Sequence, residues 1–114
     1  MLALVPKGFA QITVTNAAAT LAALTMTATS NALNITTDIS IRRLLMYAEA
    51  AVRYTVDGTT PSASIGMNLN GDLLLGSLGV SSEQDLRDFI LGMKLIRVGG
   101  SDVKVNVSFF GYLP

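Results

Sequence analysis

At 114 residues, 50% of them hydrophobic and 14% charged, the chain has the size of one packed domain and is too apolar to stay disordered. Eight basic residues balance eight acidic ones with no block of like charge, so the basic stripe of a nucleic-acid binder is missing. With no Cys and no His there is no disulfide framework, no zinc knuckle, no thiol nucleophile and no histidine acid–base group.

The first eight residues, MLALVPKG, lack the basic start and the apolar run of a signal peptide. They have no alternating pattern and are expected to form an arm ahead of a single domain over residues 9–114. No run of about 18 apolar residues suggests a membrane helix, so no membrane partner is expected and the chain reads as folding in a cytoplasm. Residues 9–15, FAQITVT, alternate and are β-branched, which predicts a strand. Residues 17–28, AAATLAALTMTA, mix alanine with threonine; alternation favours a strand over residues 21–28. Ser30-Asn31 predicts a turn, and Leu33, Ile35, Thr37, Ile39 and Ile41 mark one face of the next strand. Arg42-Arg43 is the one adjacent basic pair and is expected to face solvent or a carboxylate. A strand through residues 44–47 is expected to break near Ala48-Glu49-Ala50, with Glu49 capping or bulging the junction.

Residues 52–56, VRYTV, place Val52, Tyr54 and Val56 on one strand face. Asp57-Gly58 predicts a tight turn, Pro61 bars helix, and Gly66 suggests a bulge or a close backbone approach within a short strand over residues 62–67. Residues 68–72, NLNGD, predict a second turn, and residues 72–76 a short apolar strand. Ser82 with Asp85 resembles a weak capping box, so one helical turn is expected before a strand through residues 93–98. Gly99-Gly100 predicts a turn. Residues 103–109 alternate cleanly, with Val103, Val105, Val107 and Phe109 inward. Short strands at intervals of about ten residues predict an all-β fold, an antiparallel β-sandwich or barrel with one short helical turn.

The candidate chemistry is thin. Asp57 with Asp72, or Glu49 with Asp38, are the carboxylate pairs, yet Asp57 and Asp72 sit beside glycine where turns already account for them. Asp57, Asn68, Asn70 and Asp72 offer hard oxygen ligands for calcium, without the glutamate and spacing of a calcium-binding loop. No catalytic residue, cofactor or metal ligand is therefore expected. The aromatics Phe9, Phe110 and Tyr112 are candidates for an interface, and Tyr47, Tyr54 and Tyr112 for a glycan groove.

One resemblance adds to this reading. Val52-Arg53-Tyr54, Asp57-Gly58, Pro61, Gly66, Gly71-Asp72 with Leu73 to Leu75, an Ile-containing strand ending near Ile96, and the aromatic strand Val103 to Phe110 follow in an order that resembles small structural proteins of tailed-phage virions. It spans residues 47–110; residues 1–46 carry none of it. The resemblance implies a non-enzymatic capsid decoration or cement subunit, made in the host cytoplasm and located in the virion. It further implies the major capsid protein as partner, self-association, and no nucleic acid. In such a chain Asp57, Gly58, Pro61 and Gly66 are structural turn residues. A head–tail connector is the near alternative. The Asp-Gly-x-x-Pro piece is also similar to accessory β-sandwiches of chitobiase-like glycosidases, which makes a glycan-binding module the more distant one.

Overall fold

The computed structural model describes residues 4–30, 41–75 and 92–112. Seven strands carry it: β1 (Leu4–Val14), β2 (Ala19–Thr20), β3 (Thr25–Ser30), β4 (Ile41–Thr55), β5 (Met67–Leu75), β6 (Lys94–Arg97) and β7 (Val103–Tyr112). All pairings are antiparallel, in one sheet that curls into a half-barrel. The expected all-β class is the observed one. The expected helical turn near residues 81–90 and the strand over residues 33–40 lie outside the described residues. Among the described residues no helix is long and apolar enough to cross a membrane.

The seven strands fall into five columns. β6 and β7 lie end to end along one edge of β4, pairing Val52–Thr55 and Ile41–Ala48 respectively. β1 and β2 lie end to end along the far side of that column. β3 closes one flank beside β1, and β5 pairs the other edge of β4. Gly99-Gly100 is therefore not a reversal. Residues 98–102 bulge out and the chain resumes in the same direction.

The interruptions are aligned. Residues 15–18 part β1 from β2, residues 98–102 part β6 from β7, and residues 49–51 of β4 face Asn70 alone across the ladder to β5. Backbone bonds stitch this crease: Arg97 N donates to Thr15 O at 3.0 Å and Val98 N to Ala51 O at 3.3 Å. Bulges raise local twist and bend, and a row of them across a sheet folds it over its own inner face. On β4 the excess against β5 is even, so Ala48 before the crease and Val52 after it stay on the same side.

That inner face is the core. Ile12, Val14, Leu44, Met46, Val105, Val107 and Phe109 line it on one side of the crease; Val52, Tyr54, Leu69, Met93 and Leu95 line it on the other. A second pair of bulges flanks the end of β7. β1 slips by one residue at Lys7 and β4 by one at Arg42, on either side of Phe110 and Gly111. The slip lets Ile41 and Leu44, three apart, both reach the core. It also takes Arg42 out of solvent: the side chain is only 4% exposed, with Nη1 donating to the Ile41 carbonyl at 2.9 Å, which corrects the solvent-facing part of the expectation.

Four further expectations are revised. Residues 4–8 are not an arm: β1 starts at Leu4, and Val5, Pro6 and Gly8 pair with β7, because β7 is long enough to template them. Residues 21–23 form a 3-10 turn, not strand, which sets the buried Leu21 and Leu24 on one side; strand resumes at Thr25. Residues 62–66 are not strand, because Ser62 bonds its own neighbours. Its amide donates to Ile65 O at 2.9 Å, and its Oγ accepts from the amides of Ser64 and Ile65. Residues 68–72 are not a turn but the middle of β5, where Gly71 at φ +107° absorbs the bulge.

Candidate functional site

Two places combine exposure with unusual residues: the connection between β4 and β5, and the outer face of the sheet. The connection, residues 56–66, contains all four predicted turn residues. Asp57 Oδ1 accepts from the Thr59 amide at 3.0 Å, and the Thr55 hydroxyl donates to the Thr59 carbonyl. Bonds from Thr59, led by its side chain, hold the Asp57 carboxyl below its ordinary value. Gly58 takes φ +88° as the turn requires, and Lys94 Nζ reaches its carbonyl at 3.3 Å.

Arg53 organises the return. Its Nε donates to Ala63 O at 3.2 Å and its Nη1 to Gly66 O at 2.9 Å. Its guanidinium thus reaches two loop carbonyls. Gly66 lies against this arrangement at φ +122°. A Cβ there would stand 3.1 Å from Tyr54 O and 3.3 Å from both Arg53 Cβ and Pro61 Cβ. The predicted close backbone approach is thus real, and the buried Pro61 is one wall of it. Tyr54, Val56, Asp57, Thr59 and Met67 border a mostly apolar hollow of about 220 Å³ beside this loop. That is small for a ligand site, which is commonly about 300 Å³ or more.

The outer face has a clear division. Near the crease it is polar and cross-linked. Gln11 Nε2 donates to Asn106 Oδ1 at 3.0 Å, Asn106 Nδ2 donates to Glu49 Oε2 at 3.2 Å, and Lys104 Nζ donates to Thr13 Oγ1 at 2.8 Å. Toward the far end it turns apolar. Phe9 and Leu45 flank Ser108 from the two neighbouring strands, Phe110 is two residues on, and Tyr47 sits beside Leu45 across from Asn106. Cross-strand and diagonal neighbours on one sheet face are about 5–8 Å apart, so these four make one band. Leu45 and Tyr47 are 44% and 50% exposed, and Phe9 and Phe110 are half-buried.

The predicted interface residues Phe9 and Phe110 come together here. Tyr112 pairs with Leu4 at the end of β7. Leu45 was missed by sequence reasoning. Its signal was the alternation of β4 itself, in which an apolar residue falls at an outward position. Of the candidates for a glycan groove, Tyr47 and Tyr54 are not brought together. Tyr54 is 7% exposed in the core, whereas Tyr47 points outward, so these two tyrosines serve opposite faces.

Asp57 and Asp72 do not converge. Asp72 pairs across from Tyr47 while Asp57 lies beyond the other end of β4, about 25 Å along the strand. Asp38 lies outside the described residues. Among the described residues, no three acidic side chains gather as a metal site. No family model, curated protein or solved structure matches the chain.

Proposed function

We propose that this protein is a non-enzymatic structural subunit of a tailed-phage virion, a decoration or cement protein that packs its outer sheet face on the major capsid protein. The observation that carries the reading is the apolar band of Phe9, Leu45, Tyr47 and Phe110, on a sheet whose inner face already holds the core. A sheet with one solvated face alternates apolar-in with polar-out, and this band departs from that pattern. Zero net charge and few charged residues favour association between copies and with a shell. The virion-like order of residues 47–110 supports the same reading. Many copies, each burying about 800 Å² per partner, would add stability to a shell through repetition.

The test is binding to empty capsids of a tailed phage, read by co-sedimentation. Saturation at a fixed number of copies, lost in Leu45→Lys and Tyr47→Lys, is the expected result. A closed ring of the free protein that ignores capsids would favour the connector role instead.

A further inference from the structure

We propose that Asn70 is a spontaneous deamidation site, at which the Gly71 amide closes on the Asn70 side chain and converts it to aspartate and isoaspartate. Three observations meet there. Asn70 is the one asparagine in the chain that precedes a glycine. It lies at the break in the β4–β5 ladder, facing residues 49–51 without a register partner, and its side chain is exposed. The space around Gly71 is open, since a Cβ built on it would meet nothing within 4 Å. A side chain on the following residue is the main steric obstacle to ring closure, and glycine has none.

The chemistry needs only water. The Gly71 nitrogen bonds to Asn70 Cγ and gives its proton to solvent. The Cγ–Nδ2 bond breaks and Nδ2 leaves as ammonia. Water then opens the five-membered imide at either carbonyl, leaving aspartate or, with one extra methylene in the main chain, isoaspartate. The product adds one negative charge to a neutral chain, on the strand that also exposes Asp72 and opposite the exposed Glu49.

Asp57-Gly58 is the natural comparison, because aspartate before glycine can form the same imide. There the leaving group is water from a protonated carboxyl. Asp57 is an exposed carboxylate, ionised at neutral pH like any other, and its Oδ1 is engaged by the Thr59 amide at 3.0 Å, so closure is disfavoured.

The experiment ages the purified full chain at neutral pH and body temperature, beside a sample unfolded in urea. Peptide mapping and isoelectric focusing follow both. The expected result is loss of Asn70 in the folded protein at a rate close to that of the unfolded chain. It comes with an acidic shift of one charge and with Asn16, Asn68 and Asn106 intact. Asn70→Gln, confirmed as folded by its urea midpoint, abolishes the shift. Retention of Asn70 in the folded protein while the urea sample converts would overturn the proposal, as would an unchanged acidic shift in Asn70→Gln.

Discussion

Gly66 is the residue where local geometry speaks most directly. It combines a left-handed φ with a backbone oxygen 3.1 Å from where a Cβ would sit. Gly66→Ala is expected to destabilise by about 2–3 kcal/mol, measured as a lower urea midpoint. Gly58→Ala, with open space around it, should cost about 1 kcal/mol by the same measurement. Arg53→Met removes donors from two loop carbonyls and is expected to cost about 1–2 kcal/mol. Asp57 adds a pH dependence. Its folded pKa lies below the ordinary carboxylate value, so its contribution is present above the unfolded pKa and is lost as pH falls through the folded pKa. The difference in urea midpoint between the wild type and Asp57→Ala should therefore shrink once the pH drops below this range. The glycine, the proline and the Asp-Gly pair were legible in the sequence because each has a fixed backbone meaning. The partners of Arg53 were not, because a carbonyl is the same whichever residue carries it.

At the scale of elements, the start and the inward face of β7 were legible, and the strand runs three residues past the expected Phe109 to Tyr112. Its alternation is unbroken, and both neighbours pair with it. Phe109→Ala should cost about 3–5 kcal/mol, as expected for a fully buried aromatic at the centre of a core. β4 was harder, because its bulges at Arg42 and at residues 49–51 break the period from which a strand is recognised. The crease itself was legible only in part. Glycine and proline mark where a chain can bend, yet the alignment of three breaks across neighbouring columns depends on register, which no single segment encodes. It has a testable consequence. Adding Gly-Ser within residues 98–102 should cost less than about 1 kcal/mol, because the excursion already leaves the ladder. Adding one residue at the middle of β7 should prevent folding, since it would turn every later side chain to the other face. Circular dichroism and urea unfolding distinguish the two.

At the scale of the whole molecule, the described residues form a curled sheet with a filled inner face and an unevenly finished outer one. Buried apolar side chains fill the inner face, and the polar cross-links near the crease look to solvent. The band of Phe9, Leu45, Tyr47 and Phe110 fits neither description, and the proposed docking on a capsid surface would give it a role. Phe9 and Phe110 of that band were legible as interface candidates, and Tyr47 only as a candidate for a glycan groove. Leu45 was not singled out, because an apolar residue in an apolar-rich strand is unremarkable until its face is known. Since Leu45 and Tyr47 stand clear of the core, Leu45→Lys and Tyr47→Lys should change stability by no more than about 0.5 kcal/mol. Co-sedimentation of these two variants and the wild type with empty tailed-phage capsids is the most direct test of assembly through this face. Saturating binding of the wild type, a raised capsid melting temperature, and loss of both in the equally stable variants is the predicted result. A wild-type chain that stays in the supernatant, or variants that bind as well as it does, would contradict it.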